Sequence, residues 1–299
     1  MEALLQWGLD CIRLIQGWAS PPLTVVMRLI TALGSTGVYI AVVCYVYWCV
    51  DEKKGLHLGI IALISIWINL SLKLALDQPR PFFPAYDPSV GMISERLGGF
   101  PSGHAQNTLV ALTIISSWLT RRWAYIAAAL ICLLVGFSRI YLGVHFPTDV
   151  IGGWLIGGIL LAAYFLTRTR IETLLAKGGF RGGMYTSAAL AFVMILYRPS
   201  VELILPGSML LGLGAGYTIC KFYCPFSASA FGGRTGIYRL LAPLVRFLLG
   251  ITVLALLYVV TEKITGGMLV TFLRFVLLSL WIAAGAPWLF RFLRLAERA

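Results

Sequence analysis

Between Lys73 and Asp149, three cationic side chains, two of the chain's three histidines and a carboxylate fall beside apolar runs. They come in three pieces: Lys73-Leu-Ala-Leu-Asp-Gln-Pro-Arg80-Pro81, Pro101-Ser102-Gly103-His104, and Ser138-Arg139-Ile-Tyr-Leu-Gly-Val-His145-Phe-Pro-Thr-Asp149. Lys73, Arg80 and Arg139 are fixed positive charges that would converge around a strongly anionic group, most simply a phosphoryl group. Ser102 and Gly103 add a hydroxyl and an unhindered backbone N–H. Two imidazoles allow a division of labour near neutral pH: one attacks or takes a proton, the other donates a proton to the leaving oxygen. Asp149 lies four residues after His145, and Pro147 suits the first turn of a helix opening there. The carboxylate is thus placed to hold one ring nitrogen and fix the tautomer. No cluster of carboxylates is available for a metal, so the implied chemistry is metal-independent and cofactor-free phosphoryl transfer through a phosphohistidine.

Each residue also has a plainer reading when taken alone. Lys73 and Arg139 could be helix-end cations snorkelling to a membrane interface, and His104 a satisfied side chain at a helix N-terminus. That account requires independent accidents to fall in the right order and spacing.

The three pieces resemble the signature K-x6-R-P, P-S-G-H, S-R-x5-H-x3-D of the type 2 phosphatidic acid phosphatase superfamily, and they match it at every signature position. Carried over residue by residue, the resemblance implies His145 as nucleophile, Asp149 as its orienting partner and His104 as general acid. It implies Lys73, Arg80, Ser102, Gly103 and Arg139 as the phosphate cradle. The motifs cover roughly residues 60 to 165 and do not vouch for the rest of the chain. Glucose-6-phosphatase-like members of the superfamily also have nine spans, which keeps a soluble sugar phosphate among the substrates.

Composition bounds the rest. Of 299 residues, 59% are hydrophobic and 12% charged, and the mean hydropathy is +0.87. These values exclude an ordinary soluble domain and predict an all-α, polytopic transmembrane helical bundle. The expected organisation is an amphipathic interfacial helix over 1–22, a phosphatase core of five to six helices over 23–170, and an additional block of about four spans over 171–299. Residues 1–20 carry Glu2, Asp10 and Arg13 among apolar positions and lack the basic start and small-residue cleavage site of a signal peptide. Expected spans run over about 24–50, 55–76, 102–120, 123–138, 148–167, 184–199, 201–220, 241–260 and 267–290.

Asp51-Glu-Lys-Lys54 reads as a charged turn, and Asn69, one helical turn before Lys73, as a packing hydrogen-bonder. Phe82, Phe83 and Tyr86 in the Pro- and Gly-rich loop 77–101 are expected in the headgroup layer, or else around the mouth of the site. Gly153 and Gly157 form a small-xxx-small helix contact. Cys220 and Cys224 lack a second ligand pair, and the remaining cysteines read as small buried hydrophobes.

With nine spans, fourteen of the twenty-four Lys and Arg residues fall on one side, among them Lys53, Arg121, Arg168, Lys177 and Arg234. The positive-inside rule then makes that side and the C-terminus cytoplasmic, with the active site facing the periplasm, outside or lumen. The net charge of +12 is topogenic rather than a nucleic-acid footprint. The partners expected are membrane lipids and a phosphorylated lipid substrate, whose chains remain between helices while the phosphorus sits near the outer headgroup layer. A phosphotransferase is the alternative within enzymes, and a lipid carrier that uses the cations for headgroup binding is the alternative outside them. Two imidazoles beside the cations argue against pure binding.

Overall fold

The computed structural model describes residues 2–84, 86–229 and 236–296. Its elements are helices: α1 (Glu2–Gln16), α2 (Pro21–Ala32), α3 (Thr36–Tyr45), α4 (Glu52–Leu76), α5 (Gly103–Leu119), α6 (Arg122–Tyr141), α7 (Pro147–Leu196), α8 (Val201–Tyr223), α9 (Ile237–Glu262), α10 (Met268–Leu280) and α11 (Ala286–Phe292). No strand occurs among the described residues. Six helical stretches are long and apolar enough to cross a membrane: α4, α6, α7, α8, α9 and Met268–Phe292. The pair Pro21–Ala32 and Thr36–Val50, bent by 48°, makes a seventh if it counts as one span. The 17 residues of α5 lie at the short end of what a bilayer needs.

Local chemistry explains the boundaries. The Ser20, Ser102 and Ser200 side chains cap α2, α5 and α8 by accepting from the N–H of Leu23, Ala105 and Leu203. Asp51 Oδ1 accepts from Lys53 N and Lys54 N, both at 2.9 Å, so the charged turn read from sequence is the cap and first turn of α4. One difference is larger. Residues 168–183, expected as a connection, are helical and lie within the 50-residue α7. Arg168, Arg170, Glu172, Leu174, Leu175 and Lys177 are good helix formers, and all but the half-buried Arg168 are exposed. The helix is interrupted at Gly179, whose φ of 58° and ψ of −151° suit a residue without Cβ.

The chain divides into two compact units, Met1–Tyr39 with Ile68–Leu166, and Ile40–Trp67 with Thr167–Ala299. In the first, α1 buries Leu9 and Ile12 against Val90 and Phe146. Met27, Tyr141, Leu142 and Val144 form a second cluster with Phe82 packed on it, and Tyr86 stands edge-on to Phe146. Phe82 and Tyr86 therefore hold the 77–101 loop onto the core. Gly153 and Gly157 lie against the backbone of Ser102 and Gln106, so α7 approaches α5 at these small residues.

Beside these apolar clusters the unit buries a set of polar and charged side chains and turns apolar ones outward. Asn69, Lys73, Arg80, Gln106, Arg139, His145 and Asp149 are buried, whereas Leu130, Leu133, Leu155 and Ile159 are exposed. That inversion fits a lipid surround, where buried ionisable groups mark function.

The second unit has its own core, including Trp48, Leu63, Leu213, Ile282 and Phe290. There Gly212 and Gly216 of α8 lie against Ser279 and Ala283, letting the helix backbones approach closely. All six cysteines are free, and Cys220 Sγ donates to the Cys224 carbonyl. Arg234 and Arg298, counted in the charge asymmetry, lie outside the described residues.

Candidate active site

Phe146 precedes Pro147, the first residue of α7, and its N–H donates to Asp149 Oδ2 at 3.0 Å. An acidic side chain in the first turn thus reaches back to the cap residue, as in a capping box. The same oxygen lies 3.1 Å from His145 Nδ1, so the cap that starts α7 also holds the imidazole. Gln78 Nε2 donates to the other oxygen, Oδ1, at 3.2 Å. Asp149 is fully buried and His145 nearly so.

The tautomer of His145 follows from its second neighbour. Arg80 Nη1 stands 3.2 Å from His145 Nε2. A guanidinium has no acceptor, so Nε2 must carry the lone pair and Nδ1 the hydrogen given to Asp149. Burial first, then the charges of Arg80, Lys73 and Arg139, push the His145 pKa well below the ordinary 6.5. The ring is neutral at physiological pH, with its nucleophilic nitrogen facing the cations.

Those cations converge as the sequence predicts. Lys73, in the last turn of α4, donates from Nζ to Gly98 O at 2.5 Å and Gly99 O at 3.0 Å. Arg80 reaches Leu97 O through Nε at 2.6 Å and Val144 O through Nη1 at 2.8 Å. Burial lowers its pKa to about 10, which leaves it charged at neutral pH. Arg139, in the last turn of α6, gives Nη1 to Thr31 Oγ1 at 2.9 Å and Nη2 to Glu95 Oε1. Its Nε is buried without a hydrogen-bond partner among the described residues, a donor left for a ligand oxygen. Between Arg139 and His145 the chain turns at Gly143 (φ +68°), where a Cβ would come within 1.9 Å of Val90 O. Glycine is required there on both counts.

Ser102, Gly103 and His104 stand at the N-terminus of α5, where free N–H groups and the helix dipole favour an anion. Ser102 N donates to Asp149 O at 2.9 Å, tying this turn to the start of α7. Asn69 Nδ2 donates to Pro101 O at 3.2 Å and Gln106 Oε1 at 2.9 Å, so it supports the turn from α4 as a packing hydrogen-bonder.

All eight predicted site residues therefore belong to one polar region of the first unit. Sequence reasoning missed four neighbours. Glu95 meets Arg139 and, at 3.5 Å, Arg80. Burial raises the Glu95 pKa, but the two arginines outweigh it and hold the carboxyl below its ordinary range. Thr31 accepts from Arg139, Gln78 supports Asp149, and Gly34 makes room for His104, whose Cδ2 would lie 2.8 Å from a Cβ there. Glu95 and Gln78 were visible as polar residues near the signature; Thr31 and Gly34 lie far from it and carried no signal.

Residues 54–172 match the PAP2 superfamily model, and 206–298 match the transmembrane extension of PAP2 superfamily phosphatases. Phosphatidylglycerophosphatase B of Bacillus subtilis is 30% identical over 161 residues, 50% of this chain and 75% of that protein. The chain belongs to the PAP2 superfamily. Sphingosine-1-phosphate phosphatase 2 of Mus musculus is 30% identical over 155 residues, 49% of this chain and 43% of that one. An undecaprenyl-diphosphatase of Sulfolobus acidocaldarius is 37% identical over 112 residues, 36% of this chain and 51% of its own. The match thus spans three quarters of the first relative and about half or less of the other two. The chain is a multi-span membrane phosphatase of the PAP2 type, a superfamily that acts without metal ions.

Proposed function

We propose that this PAP2 phosphatase hydrolyses a membrane lipid phosphate or diphosphate in two displacements. In the first, the His145 Nε2 lone pair attacks phosphorus; the N–P bond forms as the P–O bond to the lipid breaks, and His104 gives its proton to the leaving oxygen. In the second, His104 takes a proton from water, the oxygen attacks phosphorus, and the P–N bond breaks to release inorganic phosphate and neutral His145. Lys73, Arg80, Arg139, the Ser102 hydroxyl and the Gly103 N–H hold the developing negative charge. Asp149 keeps the Nδ1 hydrogen in place and stabilises the cationic ring.

The observation that carries this reading is the forced tautomer. A carboxylate on Nδ1 and a guanidinium at Nε2 put the lone pair on Nε2, beside the Arg80 donor that also attracts an anion. A lipid substrate is favoured because the three relatives carry names for phosphates of unrelated lipids, so the shared feature is a phosphoryl group on a membrane-bound chain.

Phosphate release from a panel of polyprenyl diphosphate, phosphatidic acid, phosphatidylglycerophosphate and sphingoid phosphate tests the substrate class; release from none of them overturns it. An acid-labile phosphoenzyme trapped in the wild type and absent from His145→Gln tests the intermediate. His104→Ala should slow cleavage by roughly a hundredfold to ten-thousandfold and partly spare a substrate with a very good leaving group. Equal losses on good and poor leaving groups would remove His104 as the acid.

The charge asymmetry supports a site on the periplasmic, outer or lumenal side. Ser89 and Lys177 are both exposed. In intact cells Ser89→Cys should react with an impermeant thiol reagent and Lys177→Cys only after permeabilisation; the reverse pattern inverts the orientation.

A further inference from the structure

The cradle already holds an anion. The two oxygens of Glu95 face two guanidiniums, Oε1 toward Arg139 Nη2 and Oε2 toward Arg80 Nη2 at 3.5 Å. Two oxygens of a phosphoryl group would take the same donors. The segment that follows rests on the same cations: Leu97 O on Arg80, and Gly98 O and Gly99 O on Lys73. The proposed reaction therefore begins from a site in which carboxylate and carbonyl oxygens occupy donors that the substrate needs.

Two carboxylates in this region differ in how firmly they are held. Asp149 is fully buried and is gripped by a backbone N–H, Gln78 and His145. The Glu95 side chain is 30% exposed and sits on a loop outside any helix, with Arg139 and Arg80 as its partners among the described residues. Water is at hand to solvate it when it leaves. Without Glu95, Asp149 would be left to balance three buried cations, which is costly, so a further anion is needed when substrate is absent. The same anion weakens the hold on any phosphate that arrives, because Glu95 must first give up each guanidinium donor that phosphate takes.

We propose that Glu95 is an internal stand-in for the phosphoryl group: it occupies Arg80 and Arg139 in the substrate-free enzyme, leaves when substrate binds, and returns to displace product phosphate. When it leaves, Arg139 offers Nη2 as well as its unpartnered Nε to phosphate oxygens. Glu95 is then a positioning and release residue and does not contact the reacting atoms. The inference rests on the phosphatase reading of this site but makes its own prediction, since competition for a cation is a binding property independent of turnover.

The test measures affinity for orthovanadate and inorganic phosphate on the purified full-length protein at fixed pH. Glu95→Gln should bind both about tenfold more tightly than the wild type, the change that about 1.4 kcal/mol produces. Glu95→Asp and the control Asp87→Asn, a carboxylate paired with Arg13 instead, should stay near the wild type. In turnover, Glu95→Gln should show stronger product inhibition and a lower kcat. Equal or weaker phosphate binding by Glu95→Gln overturns the proposal and makes Glu95 a support for Arg139.

If Glu95→Gln does not fold, hydrogen exchange of the wild type decides. Saturating vanadate should speed exchange across residues 95–99, and unchanged or slower exchange overturns the proposal. The lipid panel separates the two readings. Absent hydrolysis with tighter phosphate binding in Glu95→Gln sinks the phosphatase reading alone. Hydrolysis with unaltered affinity in that variant sinks the Glu95 proposal alone, and no phosphate binding by either protein sinks both.

Discussion

In the second unit, Arg246 is fully buried and gives its donors to backbone carbonyls: Nε and Nη2 to Leu295 O at 2.8 and 2.6 Å, and Nη1 to Ala228 O at 2.7 Å and Trp48 O at 3.3 Å. Its guanidinium also lies 5.9 Å from the centre of the Phe226 ring. In the first unit, Arg139 is as deeply buried, yet it meets a hydroxyl and a partly exposed carboxylate and keeps Nε without a partner among the described residues. A cation whose donors end on fixed backbone dipoles is solvated by the fold and holds the fold together. One that faces a carboxylate able to leave is available to a ligand. Burial does not separate these two arginines; their partners do.

The largest effect that bears on this contrast is expected from His145→Gln. Turnover should fall to background while vanadate binding persists, because the cradle cations are untouched; retained turnover would mean that the lone pair facing Arg80 is not the nucleophile. The wild-type pH profile adds a sign. With the His145 pKa pushed well below 6.5, the neutral nucleophile survives below ordinary histidine titration, so the acid limb of kcat/KM set by His145 should lie below pH 6.5. The linked stability runs the same way: it is fully present above the unfolded value of 6.5 and declines as pH falls, since the unfolded chain takes the proton first.

Next comes Arg139→Lys, which keeps the charge and loses the fork. An ammonium cannot keep the bond to Thr31 and also present a two-nitrogen fork to phosphate, and losing one or two charge-assisted bonds predicts a fall in kcat/KM of about tenfold to a hundredfold. Activity within twofold of the wild type would show that point charge is all the cradle needs from this residue. Gly34→Ala should cost about tenfold in kcat, since a Cβ would press His104 at 2.8 Å and a full 1 Å displacement of a catalytic group costs about a hundredfold. Substrates with poor leaving groups should suffer more, and an equal loss on all substrates would tie Gly34 to packing instead.

The sequence made His145, Asp149, His104 and the cations legible because they sit at fixed spacings where apolar runs end. Helix periodicity and hydropathy located the spans for the same reason: a bilayer demands long apolar stretches. Glu95 was visible as a loop acid, but its role depends on how Leu97 to Gly99 drape over the cations, which spacing does not encode. Thr31, in the last turn of α2, and Gly34, in the break after it, lie far along the chain from the signature. The helical character of residues 168–183 was hidden by their charge, which reads as a connection in a membrane protein although Arg168, Arg170, Glu172, Leu174, Leu175 and Lys177 favour helix.

The smallest effect on chemistry should come from Arg246→Met, which completes the comparison. Methionine fills much of the volume but leaves the Leu295, Ala228 and Trp48 carbonyls short of a donor in a buried setting. Each unsatisfied group costs about 1–3 kcal/mol. At the low end, the sum corresponds to a fall in Tm of about ten degrees. The activity of the folded fraction, measured well below that Tm, should stay within about twofold of the wild type. A large loss of specific activity in a fully folded Arg246→Met protein would show that the carbonyl-bound cation serves catalysis as well, and partner type would then fail as the criterion that distinguishes the two arginines.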